Sequence, residues 1–109
     1  MKIIQLKLDF LHGPIWKDCF DIETGKWYTG VDIIDNNASI AELEGQIQNL
    51  YNSFYSVNKE GSYSFDEASL IASKETLLAL MNELVSLLAE LNDGSYEIDD
   101  YITPALKEL

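Results

Sequence analysis

Residues Ile3–Leu11 read IIQLKLDFL, and their alternation decides how the fold begins. Ile4, Leu6, Leu8 and Phe10 fall on one side and Gln5, Lys7 and Asp9 on the other, the period of two expected of a strand with one buried face. His12-Gly13-Pro14 interrupts the pattern, because glycine admits a positive φ and proline has no N–H to give to a ladder. Ile15–Ile22 reads as a second strand and Lys26–Ile34 as a third. Between them, Glu23-Thr24-Gly25 places glycine where a hairpin needs a left-handed residue. Residues 1–35 are therefore expected to form a three-stranded antiparallel meander.

From Asn36 the period lengthens. Ser39 and Glu42 have the spacing of a capping box, and Ile40, Leu43, Ile47, Leu50, Phe54 and Val57 recur at steps of three and four, which predicts a helix over about 38–57. Asn58–Ser64 reads as a polar loop, Ser64 and Glu67 as a second capping box, and Leu70–Leu91 as a long helix stopped by Asn92-Asp93-Gly94. Its apolar band, centred on Leu77, Met81, Leu84, Leu88 and Leu91, is wide enough to meet the first helix on one flank and the sheet on the other. The expectation is an α+β fold in a single domain, 1–109: a β-meander over 1–35, an antiparallel two-helix hairpin over 36–92, and a short acidic tail over 93–109. Within that tail, Thr103-Pro104 opens a last helical turn carrying Leu106 and Leu109.

The chain has 109 residues, 19 of them Asp or Glu against seven Lys and no Arg, for a formal charge of −12. A surface of that sign repels nucleic acid, acidic membranes and copies of itself, and draws in a basic protein. The surplus is uneven: residues 1–35 balance at −2 and residues 36–109 at −10. An apolar content of 47% with 11% aromatics fills a core, which separates this chain from a disordered acidic one. Cys19 is the one cysteine, so no intrachain disulfide can form, and the pattern suits a reducing compartment, the cytoplasm. Lys7 and Asp9 break any signal-like apolar start, and Asn82, Glu83, Ser86 and Glu90 interrupt the most apolar helix before it reaches the length of a membrane span.

One histidine and one cysteine fall short of the ligands a zinc site requires, and Asp93–Asp100 lacks the spacing of a calcium loop. No phosphate-binding glycine motif and no nucleophile elbow occurs. A His12–Cys19 dyad is conceivable across the first turn, but both residues read better as structural. No catalytic, cofactor-binding or metal-binding residue is assigned, and the chain is read as not an enzyme. Trp16, Trp27 and Tyr28 read as cross-strand aromatic packing, with one exposed Trp as a possible anchor for a protein partner. The stretch that points to a partner is Asp93, Tyr96, Glu97, Asp99, Asp100 and Tyr101. Its carboxylates can pair with Lys or Arg of a partner, and its tyrosines add rigid contact area.

In type, the chain resembles the small acidic immunity proteins of bacterial polymorphic toxin systems, including those of contact-dependent growth inhibition. The resemblance rests on the compact start MKIIQLKLDFLHGPIWKDCFDIETGKWYTGVDII, the missing catalytic set, and the acid-plus-tyrosine stretch from Asp93 to Tyr101. It implies a cytoplasmic protein that binds and neutralises a basic toxin domain, by expectation a nuclease. These families share no motif, so the resemblance transfers no functional residue. Two other readings fit the same charge and periodicity: a nucleic-acid mimic of the anti-restriction or anti-CRISPR kind, and a helical-hairpin adaptor that dimerises.

Overall fold

The computed structural model describes residues 1–9 and 12–109. Along the chain the elements are β1 (Lys2–Leu6), β2 (Cys19–Asp21), β3 (Lys26–Tyr28), α1 (Asp32–Asp35), α2 (Ala38–Asn52), β4 (Tyr55–Val57), β5 (Tyr63–Phe65), α3 (Glu67–Ala72), α4 (Lys74–Leu91), β6 (Tyr96–Asp100) and α5 (Ile102–Lys107). The class is α+β, but the arrangement is not a meander followed by a helical hairpin and a tail.

The first correction concerns the partner of β1. Its alternation is as expected, with Ile4 and Leu6 buried and Ile3 exposed. Yet it pairs in parallel with β6 from the far end of the chain, in a register running from Lys2↔Tyr96 to Leu6↔Asp100. On its other side β1 receives only a brief antiparallel return. Lys7 N donates to Pro14 O at 2.9 Å and Trp16 N to Gln5 O at 2.9 Å, around a Leu6↔Ile15 bridge. That return sends Ile15 into the core and leaves Trp16 outside. It turns at Gly13, whose φ is +94° and where an added Cβ would lie 2.0 Å from the Lys7 carbonyl oxygen, so only glycine fits. With both sides of β1 occupied, β2 and β3 pair only with each other, and the expected three-stranded ladder does not form. Most of the expected third strand is instead a turn and α1.

The second correction concerns the middle of the chain. The first long helix ends at Asn52 rather than Val57, because Tyr55–Val57 joins Tyr63–Phe65 in an antiparallel pair. The polar loop between them is a hairpin turn in which Asn58 Oδ1 accepts from Glu60 N and Ser62 N, each at 2.9 Å. The second helical stretch is divided at Ser73 into α3 and α4. Both capping signals stand two residues from where the sequence put them. Asn37 Oδ1 accepts from Ile40 N at 2.9 Å, and Asp66 Oδ1 accepts from Ser69 N at 3.2 Å. The helices α2 and α4 do pack on each other, but β4, β5 and α3 intervene in the chain.

The third correction is to the tail, which is part of the fold. Tyr96, Ile102 and Leu106 join Leu77, Leu84 and Leu88 of α4 in one buried cluster with Ile4 and Leu6. No helix among the described residues is long and apolar enough to cross a membrane.

Candidate protein-binding surface

The six residues expected to meet a partner divide according to the pleat of β6. Tyr96 faces inward and is buried, and its hydroxyl donates to the Leu88 carbonyl at the end of α4. Burial, and then the charge of Asp93, push its phenol above the usual range. Asp100 caps α5: its Oδ1 accepts from Ile102 N at 2.8 Å and Thr103 N at 3.0 Å. Asp93 is exposed in the turn after α4, where it accepts from Ser95 N at 3.1 Å, and its hydrogen bonds from Ser95 hold its carboxyl below the usual value.

Glu97 and Asp99 alternate with Tyr96 and Ile98 and so share the outer face of the β1–β6 pair with Ile3 and Gln5, and Tyr101 stands just beyond it at the start of α5. The Tyr101 hydroxyl donates to Asp99 Oδ2 at 2.6 Å, and this bond to a carboxylate pushes the phenol pKa up. Lys7 Nζ lies 5.2 Å from the Tyr101 ring centre and 5.7 Å from that of Trp16, a cation between two half-exposed aromatic rings. The structure therefore gathers Glu97, Asp99 and Tyr101 beside Trp16 and Lys7, keeps Asp93 at one end, and takes Tyr96 and Asp100 into the scaffold.

A second exposed group was only half visible in the sequence. Phe20 and Trp27 are cross-strand partners in the β2–β3 hairpin, with ring centres 5.0 Å apart, so Trp27 packs on Phe20 rather than in the expected set with Trp16 and Tyr28, and Trp16 lies against His12. The Phe20 and Trp27 rings nevertheless remain more than half exposed, at 52% and 55%. Alternating hydrophobicity could not reveal this, because a three-residue hairpin that leaves the core has no buried face to signal.

Three sets of contacts fix that hairpin to the body. Lys2 Nζ pairs with Asp18 Oδ1 at 2.8 Å, and Lys17 Nζ with Glu44 Oε2 at 2.9 Å. Asp35 holds the loop after β3, accepting from Thr29 N at 2.9 Å, Thr29 Oγ1 at 2.8 Å and Gly30 N at 3.1 Å. Glu44 is mostly buried, and burial pushes its carboxyl up against the opposing pull of Lys17.

The exposed Cys19 thiol bonds to Asp18 Oδ1 at 3.4 Å, and that bond raises its pKa, the opposite of what activates a nucleophile. His12 lies against Trp16, ring centres 6.1 Å apart. Among the described residues, no group of three or more His, Cys, Asp and Glu is placed to hold a metal ion. No protein-family model, curated protein or solved structure matches the chain.

Proposed function

We propose that this chain is a cytoplasmic inhibitor of the immunity type, which binds a basic toxin domain, most simply a nuclease, and neutralises it. The observation that carries the reading is the net charge of −12 on a folded chain of 109 residues, with Glu97 and Asp99 displayed together on one sheet face and Tyr101 just beyond it. A field of that sign captures a cationic target at rates up to about 10⁸ M⁻¹s⁻¹ at low salt, and speed is what protection against a lethal enzyme demands. Asp93, Glu97, Asp99 and Tyr101 are the contact residues within the stretch, since Tyr96 and Asp100 are engaged in the fold.

The test is rescue of growth. A panel of cationic nuclease domains, beginning with any found encoded beside the gene for this chain, is expressed in a susceptible cell with and without it. Rescue by the native chain, lost when Glu97 and Asp99 are both changed to Lys, supports the proposal. Failure to rescue, with no complex formed at low salt, overturns it.

A further inference from the structure

Around the β2–β3 hairpin the chain leaves four large apolar side chains in water. Trp16 is 40% exposed, Phe20 52%, Ile22 88% and Trp27 55%. Phe20 and Trp27 touch, Ile22 follows Phe20 by two residues, and Trp16 and Trp27 line one open cleft of about 720 Å³. Single exposed apolar residues need no explanation, whereas a touching Phe–Trp pair with a second tryptophan on the same cleft and Ile22 in the turn beside it has the composition of an interface centre. The hairpin is also held in place by Asp35 and by the Lys2–Asp18 and Lys17–Glu44 pairs, so little ordering would be lost on binding.

Charge selects the occupant. A second copy would bring −12 against −12, and nucleic acid would meet the same repulsion. On the hairpin Asp21 and Glu23 stand against Lys26, while Asp18 is already paired with Lys2 and Lys17 with Glu44. A basic polypeptide gains from Asp21, Glu23 and the field of the whole chain, and an arginine guanidinium stacks well on the Trp27 indole, Lys7 already lying over Trp16. We propose that the Trp16–Phe20–Ile22–Trp27 face anchors a partner segment in which Arg or Lys side chains alternate with apolar ones. The proposal rests on reading the chain as a binder of basic protein and adds where the apolar part of that contact falls.

The test is nuclear magnetic resonance on the full isotope-labelled chain at low salt, titrated with the peptide Arg-Leu-Arg-Tyr-Arg and, separately, with Glu-Leu-Glu-Tyr-Glu. Saturable shifts of the Trp16 and Trp27 indole N–H signals and of the Phe20 and Ile22 amides, with the basic peptide alone, support the proposal. Trp27→Leu should weaken binding at least about fivefold. Because Trp27 supports the hairpin, Ile22→Ser at the most exposed position is the companion variant, and it should weaken binding while leaving all core signals unmoved. Shifts confined to Glu97, Asp99 and Tyr101 would overturn the hairpin face and leave the basic-partner reading intact. Equal binding of the acidic peptide, or shifts that follow protein concentration without peptide, would overturn the choice of occupant. Binding of neither peptide would overturn both readings.

Discussion

Asp35 is one carboxylate with three donors, and it joins a hairpin to a core. Replacing it with Ala leaves the buried Thr29 hydroxyl and two backbone N–H groups without their acceptor, at a cost of about 1.5–3 kcal/mol. Urea unfolding of Asp35→Ala should show that loss, and the Trp27 emission should become more solvent-like.

The Lys17–Glu44 pair makes a prediction with a sign. Because burial raises the Glu44 carboxyl above its ordinary 4.5, the folded chain binds that proton more tightly than the unfolded chain. Its contribution to stability therefore falls as pH rises from about 4.5 through the raised value. Lys17→Met removes the compensating cation and should destabilise by about 1–3 kcal/mol at pH 7. The deficit should shrink as the pH is lowered and Glu44 takes up its proton. Unfolding midpoints measured at pH 7 and pH 4.5 check both the size and the direction, and a deficit that grew on acidification would contradict the burial argument.

Among the elements, β6 and the α5 that follows it close the core from the C-terminal end of the chain. Truncation after Asn92 removes Tyr96, Ile98, Ile102 and Leu106 from the core. At roughly 1.5–3 kcal/mol per buried side chain this is about 6–12 kcal/mol, comparable to the whole stability of a domain. The truncated chain should therefore lose its near-ultraviolet circular dichroism and its dispersed amide signals. A folded product would show that β1 can find another partner.

The same element shows what could be read from the sequence. The period of two in Tyr96-Glu97-Ile98-Asp99 was present, and recognising it would have turned Tyr96 inward and left Glu97 and Asp99 outside. The β1 alternation was legible for the same local reason. Its pairing was not, because nothing local in residues 2–6 states that their partner lies about 90 positions away. The caps of α2 and α3 were legible to within two residues, since Asn37 and Asp66 compete with Ser39 and Ser64, whereas α1 and the break at Ser73 were not. The end of α2 was hidden because Phe54 and Val57 continue a helical period that the β4–β5 pairing overrides.

For the whole molecule, the governing quantity is the field of its carboxylates. If Glu97 and Asp99 face the partner, Glu97→Gln with Asp99→Asn should slow association several-fold and flatten its dependence on salt, while dissociation changes less. Stopped-flow association with a basic domain captured under the proposed function, across a salt series, measures this. Unaltered rates would place the contact on another face. Asp100 is left out of the variant because it caps α5, so its loss would mix folding with binding.

Joining β1 to β6 also sets the order of events on the ribosome. With synthesis at about 5–20 residues per second, the opening strand waits roughly 5–20 s for its mate. Until then its backbone edge lacks the β6 hydrogen bonds, and Ile4 and Leu6 lack Tyr96, Ile102 and Leu106 from their core. A partly made copy therefore cannot close this pair: that side of the fold completes in one step, when β6 slots in beside β1.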